Sequence, residues 1–273
     1  SVKKLEGLGF STFYQANNTA YGAVALLKLF KETGDQRYLE MSYVNLAGIF
    51  NNVQLWEMDY GHGKNYSTFF SIFPLKDAPY TAAYEEQEVY AALTEYLREA
   101  KGVDIMPEVE LLIAEFIKYV PSRIHSYYPP LLPQEMLSTE PRTGEIDPDL
   151  WVAIEDLQDG KEPSGQVGQE VYGAGVAFGI VPRQYYLLSK NVYVFVDYPV
   201  EHYIKKGQSF EFKIGGSQLL DCTVVIQTGK DTSYNFSAAI KNGEALTMKA
   251  LNEKTIQFKA KGNQWIILRW KKR

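Results

Sequence analysis

Apolar residues recur at the spacing of an amphipathic helix in two adjoining stretches near the start of the chain. Asn18 or Thr19 is suited to cap the first helix, and Gly34 is suited to end it. Asp35 then caps the second helix. The stretch 17–51 therefore predicts a helical hairpin, whose apolar positions include Ala23, Leu26, Leu27, Phe30, Leu39, Leu46 and Phe50.

Two more helices are predicted, over 81–100 and over 107–119, the latter opened by Pro107. Val89 lies at the centre of the apolar face of the first of these helices. Glu85 lies within that face, Glu86 lies at its margin, and Glu88 points elsewhere. Two acidic residues are thus expected near the inside of the fold.

The stretch 54–79 shows no sustained period, and we interpret it as a long ordered loop. It carries the run DYGHGK at 59–64, which supplies Asp59, Tyr60, His62 and Lys64. Glycines on both sides of His62 allow close approach of a ligand to the backbone, whereas the alternative is an ordinary turn histidine. Long ordered loops often carry function.

The stretch 121–163 is rich in proline and is interpreted as a wrapping segment or lid. Its end carries Glu155 and Asp156, and a glycine-rich sequence then leads into another predicted helix. Glu170 falls on the buried face of that helix, which is defined by Val167, Val171, Ala174 and Phe178. A carboxylate in that position is either paired inside the fold or faces a cavity.

After residue 190 the period changes from that of a helix to that of a strand. Val192, Val194 and Val196 alternate with outward residues, and similar runs follow at 210–214, 223–227, 255–259 and 265–270 with glycines between them. This spacing predicts a small antiparallel β-sandwich. The predicted fold is α+β and multidomain, with a helical-hairpin domain over 1–189 and the β-sandwich over 190–273.

The charge balance excludes one class of partner. The chain has 28 Lys and Arg against 33 Asp and Glu, a net charge of −5, which provides no basic field for a nucleic-acid backbone. A single cysteine excludes an internal disulfide, and with three scattered histidines it makes a zinc site improbable, so we predict no metal and no cofactor. No apolar run is long enough to span a bilayer.

The sequence begins at Ser1 without methionine, which we interpret as a removed leader or tag, or as a piece of a longer protein. Aromatic residues make up 14% of the chain, with 20 tyrosines. A tyrosine ring combines a flat apolar surface with a hydroxyl and suits stacking on sugars, although most of these rings are expected to pack between helices.

The order of parts resembles the C-terminal portion of a six-hairpin (α/α)6-toroid carbohydrate-active enzyme with an appended β-sandwich. Three stretches carry the resemblance: TGDQRYL at 33–39, YTAAYEEQ at 80–87 and GQVGQEVYG at 165–173. A complete toroid of this type has twelve helices, whereas this sequence predicts five or six. The chain is therefore a fragment of a larger enzyme, a subunit that pairs with the missing half, or a smaller fold of similar layout.

The resemblance implies an active cleft where inner helices begin, and hence catalytic carboxylates at those helix starts. It points to Glu85 or Glu86 facing Glu170, with Asp59, Glu155 and Asp156 as loop-borne alternatives. Hydrolysis of a glycosidic bond needs two such carboxylates, one as an acid and one as a base or nucleophile. Substrate contacts are expected from Tyr60, His62, Lys64, Glu155, Asp156, Gln169 and Tyr172. The same carboxylates also suit a structural role as helix caps or salt bridges.

Two alternatives stay open. One is a lyase acting on a uronate-containing polysaccharide, with a tyrosine or histidine base from Tyr60, His62 or His125. The other is a non-catalytic subunit that binds glycan or a partner chain. The expected partner is an oligo- or polysaccharide, with no nucleic acid and no membrane, and glycan work favours a periplasmic or extracellular location.

Overall fold

A computed structural model describes residues 4, 7–13, 15–56, 69–72, 83–124, 184–229 and 234–272. Within these residues the chain forms four α-helices with a two-stranded antiparallel sheet between the second and the third, and then two five-stranded antiparallel sheets. The described part of the chain is thus a mixed α+β architecture, as the sequence predicts. No helix in these ranges has the length and apolar character to cross a bilayer.

The predicted helical hairpin is confirmed. Helix α1 spans Ala16–Thr33 and ends at Gly34, whose φ of 70° places it in the left-handed region that glycine adopts without strain. Helix α2 spans Gln36–Phe50, and the Asp35 side chain caps it by accepting a hydrogen bond from the Arg37 N–H. The start of α1 differs from the prediction, because Gln15 flanks it and Thr19 lies inside the helix, where its hydroxyl donates to the Gln15 carbonyl.

Helix α3 spans Ala83–Glu99 and packs on α1, while α1 also packs on α2. Fully buried apolar side chains join the three helices. Leu27 of α1, Ile49 of α2 and Leu93 of α3 are all 0% exposed. The predicted cap Thr81 lies outside the described residues.

The loop expected over 54–79 contains regular structure that the sequence analysis missed. Strand β1, Val53–Trp56, pairs antiparallel with strand β2, Phe69–Ile72. The interpretation as a loop is therefore wrong for these strands. Both are only four residues long, which is too short for the side-chain period to stand out in the sequence.

Helix α4 spans Pro107–Ile124 and begins at the predicted proline. It continues beyond Tyr119, where the sequence analysis ended it. Over residues 107–120, where its side chains are described, the buried residues are Ile113, Ala114, Phe116, Ile117 and Val120. They recur every three or four residues, which is why the sequence signals this helix clearly.

The first sheet has the strand order β10-β11-β7-β4-β3. Its strands are β3 (Tyr185–Ser189), β4 (Val192–Val196), β7 (Asp221–Thr228), β10 (Met248–Asn252) and β11 (Thr255–Lys261). The predicted alternation on β4 is confirmed, since Val192, Val194 and Val196 are buried and Tyr193 is exposed. Each strand pairs antiparallel with its neighbours.

The second sheet has the order β5-β6-β12-β8-β9. Its strands are β5 (Val200–Lys206), β6 (Ser209–Ile214), β8 (Tyr234–Ile240), β9 (Ala245–Leu246) and β12 (Trp265–Lys272). Phe210, Phe212, Ile266 and Leu268 form its buried face. The Tyr186 ring of β3 lies 5.1 Å from the Phe210 ring of β6, so a side chain of the first sheet contacts the buried face of the second.

Two compact units divide the chain. One comprises Ser1–Ile105 and Tyr119–Ala177, and the other comprises Met106–Lys118 and Phe178–Arg273. The second unit therefore contains both sheets and the beginning of α4. The division between residues 189 and 190 expected from the sequence remains a prediction.

Candidate functional site

The first turn of α3 places a carboxylate inside the helical unit. Glu86 lies three residues after the start of the helix and is 0% exposed. Val89, Tyr90 and Leu93 follow it at three-, four- and seven-residue spacing and are also buried. Glu86 therefore belongs to the buried face, rather than to the margin where the sequence analysis placed it.

Burial of a carboxylate is costly unless the surroundings compensate for lost hydration. Such residues are found either in structural polar networks or at sites that use the buried group chemically. Glu86 lies near a helix N-terminus, where backbone N–H groups favour negative charge. The position of Glu86 is thus compatible with both roles that the sequence left open, structural and catalytic.

Two other glutamates of α3, Glu88 and Glu95, hold this helix to α1. Glu88 accepts a hydrogen bond of 2.5 Å from the Asn17 side chain, which agrees with the prediction that it points away from the centre of the apolar face. Two helical turns further along, Glu95 pairs with Lys28 at 2.9 Å. The hydrogen bond from Lys28 lowers the pKa of Glu95. These two glutamates join α3 to α1 and are only partly buried, whereas Glu86 is completely buried.

A tyrosine further along the same face is engaged in packing. Tyr96 is 0% exposed, and its hydroxyl lies 2.9 Å from the Ser42 hydroxyl of α2. Burial raises the pKa of Tyr96 to about 12, while the hydrogen bond with Ser42 opposes the shift. Tyr96 consequently stays protonated at neutral pH and joins α2 to α3.

Most of the predicted site falls on residues for which the structure gives no placement. Glu86 is the one predicted catalytic residue with a described side chain; Glu85 belongs to α3 by its backbone, and its side chain lies outside the described residues. The expectation that Glu86 and Glu170 face one cavity therefore stays a prediction. The other predicted residues outside the described ranges are Asp59, Tyr60, His62, Lys64, Glu155, Asp156, Gln169 and Tyr172.

A second group of charged residues lies inside the unit that contains the sheets. The Lys118 Nζ atom of α4 is 3.7 Å from the Asp197 carboxylate and donates a hydrogen bond of 2.5 Å to the Asp221 carbonyl. Asp197 also accepts a hydrogen bond from the Thr223 N–H at 2.7 Å. Burial raises the pKa of Asp197, and the nearby Lys118 opposes that shift.

Sequence reasoning did not find this group, because its members come from α4, β7 and the end of β4. The available signal was Asp197 at the outward position after Val196, directly before a tyrosine and a proline. Glu115, one turn before Lys118 on α4, also has a pKa raised by burial. Among the described residues no group of three histidine, cysteine, aspartate or glutamate side chains is arranged to hold a metal ion.

Comparison with known proteins adds no relative. No family model matches the chain, and no curated protein or solved structure is significantly similar to it.

Proposed function

We propose that this chain is a carbohydrate-active enzyme, or part of one, that hydrolyses glycosidic bonds with two carboxylates. The observation that carries the proposal is the complete burial of Glu86 in the first turn of α3. Burial is one of the conditions by which proteins adapt a carboxyl group to proton transfer. Its proposed partner across the cleft is Glu170, with Glu85 and Asp59 as alternatives.

The proposal includes the finer architecture. The pair α1–α2 is taken as a hairpin of an incomplete α/α toroid, in which the missing helices belong to the rest of a longer protein or to a second subunit. The two sheets are taken as an antiparallel β-sandwich. Contacts of 5.1 Å from the Tyr186 ring to both Tyr203 and Phe210 support the packing of one sheet on the other.

The roles of the two carboxyl groups follow from the chemistry of the reaction. One carboxyl protonates the departing glycosidic oxygen, and the other activates water or attacks the sugar directly. The distance between the two decides between inversion and retention of configuration. The substrate class is an oligo- or polysaccharide, held by the tyrosines and polar residues of the predicted loops.

The test is a pair of isosteric substitutions, Glu86→Gln and Glu170→Gln, assayed on a broad panel of glycans with the native assembly. Each variant should lose hydrolysis by about 100-fold or more, since general acid–base catalysis contributes that much. Glu88→Gln is the matched control on the same helix, because its carboxyl bonds Asn17 and a glutamine oxygen can still accept that hydrogen bond. Its activity should stay within about twofold of the parent.

Thermal unfolding of the two variants distinguishes a loss of catalysis from a loss of folding. If Glu86→Gln and Glu170→Gln melt as the parent does and both retain hydrolysis, the proposal is wrong. Products with a new ultraviolet absorbance from an unsaturated sugar would replace it with the lyase reaction. A native mass measurement establishes which assembly carries the activity.

A further inference from the structure

The outward face of the second sheet carries a group of basic and hydroxyl side chains near the end of β12. These residues lie on the side of the sheet opposite to the buried Phe210 and Leu268. Strand pairing fixes their positions relative to one another. We call the group the basic face and define it by Lys206, Ser209, Asn235, Ser237, Arg269 and Lys271.

One row of the basic face alternates cation and hydroxyl across four strands. Lys206 of β5 lies opposite Ser209 of β6, and Ser209 lies opposite Arg269 of β12. Arg269 in turn lies opposite Ser237 of β8. Because neighbouring strands are about 4.8 Å apart, the backbones of the two cationic residues are about 10 Å apart, with a hydroxyl between them.

The cations of this face are exposed and are not neutralised by their neighbours. Lys206, Arg269 and Lys271 are all exposed, and none of them forms an ion pair within the described part of the chain. In the row beyond Arg269, Lys271 lies opposite the Asn235 amide and not opposite a carboxylate. All three positive charges are thus accessible to a ligand.

The acidic residues in the strands of this sheet are engaged elsewhere. Glu211 of β6 forms an ion pair with Lys241, and Glu201 of β5 forms one with Lys213 at 3.3 Å. Strands β8, β9 and β12 contain no acidic residue. A chain with a net charge of −5 therefore presents a local positive surface at the basic face, which complements an anionic ligand.

The side chains between the cations distinguish among anionic ligands. Single-stranded nucleic acid binds through aromatic rings on which its bases stack, and contact with a bilayer surface uses apolar side chains that enter the lipid. The basic face contains no aromatic ring and no purely apolar side chain, and the exposed apolar residue in the adjacent row is Ile204. Hydroxyl and amide groups beside cations instead suit a ligand that offers both carboxylates and hydroxyls.

We propose that the basic face binds an acidic glycan, a chain of sugars that carry carboxylates. In an extended β-1,4-linked chain successive sugars face opposite ways, so one side presents a carboxylate on every second sugar and hydroxyls between. The row from Lys206 to Ser237 has the complementary alternation. The Arg269 guanidinium binds one carboxylate through two parallel N–H groups, and the Lys206 ammonium binds another.

The inference extends the proposed carbohydrate function to a second place on the chain. It rests on the strand pairing and the charges of the second sheet and not on Glu86. It concerns binding alone, so its test is independent of hydrolysis.

The test titrates the whole chain, in the Glu86→Gln background to prevent turnover, with a hexamer of β-1,4-linked glucuronate. Cellohexaose, which has the same backbone without carboxylates, is the neutral counterpart. The acidic hexamer should bind at least about tenfold more tightly than cellohexaose, with an affinity that falls as salt rises. A thymidine hexanucleotide and phosphatidylserine vesicles present negative charge in other chemistries, and both should bind more weakly than the acidic hexamer.

Combined Lys206→Gln and Arg269→Gln substitutions remove both cations of the alternating row. They should lower the affinity for the acidic hexamer by about tenfold and reduce its salt dependence, because two charge-assisted contacts are lost. Arg269→Lys keeps the charge but not the paired N–H groups, and it should lower the affinity by about threefold.

The matched control combines Lys190→Gln and Lys249→Gln, which removes two exposed lysines from the β3–β4 turn and from β10 and changes the net charge equally. It should bind as the background does. Equal affinity for the two sugars, tighter binding of the hexanucleotide or the vesicles, or unchanged affinity in a normally melting variant that lacks Lys206 and Arg269 would overturn the inference. Failure of the Glu86 activity test, by contrast, would leave this binding result unaffected.

Discussion

The Lys118 ammonium lies 3.7 Å from the Asp197 carboxylate, and both side chains are largely shielded from solvent, with exposed fractions of 12% and 15%. The pair links α4 to the end of β4 within the unit that contains the sheets. Attraction to Lys118 and the hydrogen bond from Thr223 favour the ionised aspartate, but burial outweighs them and raises its pKa.

Asp197→Asn should remove one component of the pH dependence of stability. Because the folded-state pKa of Asp197 is raised, the folded chain binds the proton more tightly than the unfolded chain does. The contribution to stability is therefore present below the ordinary aspartate pKa and is lost as pH rises through the raised pKa. Relative to the parent, the asparagine variant should gain stability across that interval in urea unfolding at a series of pH values.

Asp221→Asn is the control, because the pKa of Asp221 is shifted in the direction opposite to that of Asp197. The ion pair with Lys261 lowers the pKa of Asp221, so its contribution is present above the ordinary pKa and is lost as pH falls. Its asparagine variant should lose stability relative to the parent as pH rises. Parallel pH curves for the two variants would contradict this account.

Removal of the Tyr96 hydroxyl and removal of the Ser42 hydroxyl should lower the free energy of unfolding by different amounts. Ser42 also donates to the Leu39 carbonyl, so Tyr96 is the donor between the two hydroxyls. Tyr96→Phe removes that donor and should cost about 1 kcal/mol, whereas Ser42→Ala leaves a buried hydroxyl without its acceptor and should cost about 1–3 kcal/mol. Denaturant unfolding of both single variants measures the difference, and a larger cost for Tyr96→Phe would contradict the assigned donor.

Gly262→Ala should be strongly destabilising. A Cβ atom at this position would lie 2.2 Å from the Ser217 carbonyl oxygen and 2.9 Å from that of Gly215, both of which are backbone atoms. We expect a loss of about 3 kcal/mol, because the backbone must shift to admit the methyl group. Gly48→Ala is the control within a helix, since its nearest contact would be an ordinary 3.7 Å and alanine favours the helix. Equal unfolding midpoints for the two variants would show that the backbone contact at Gly262 is unimportant.

Features fixed by local backbone chemistry were predictable from the sequence. The joint at Gly34 and Asp35, the start of α4 at Pro107 and the buried valines of β4 all follow from short-range rules on caps, φ angles and side-chain alternation. A glycine between the last two strands was also expected. Glycine is needed at position 262 because the backbone carbonyls of Gly215 and Ser217, which lie elsewhere in the sequence, leave no room for a Cβ atom.

Features that depend on distant partners were not predictable. Strand β5 is exposed along most of its length because it is an edge strand, so it shows no alternation to detect. Strand β3 has no clear alternation because both of its faces carry large side chains, with Tyr185 and Leu187 exposed. The Lys118–Asp197 pair joins residues from elements far apart in sequence.

The candidate site was predictable in part. Helical spacing placed Glu86 close to the buried face of α3, and the structure moves it fully inside. The hydrogen bond between Asn17 and Glu88 could not be predicted from the sequence, because the position of α1 beside α3 is a property of packing. Its central prediction, that Glu86 and Glu170 share a cavity, awaits the paired substitutions.

The strand order of the second sheet has a consequence for how the protein is made. Strand β12 contains the last residues described, yet it lies between β6 and β8 in the middle of its sheet. Until a ribosome has released these residues, β6 and β8 cannot have their common neighbour, and their apolar faces are open to mispairing with other nascent chains. Completion of this sheet therefore waits for β12, which is synthesised after both of its neighbours, so β12 is the element that commits the sheet to its native pairing.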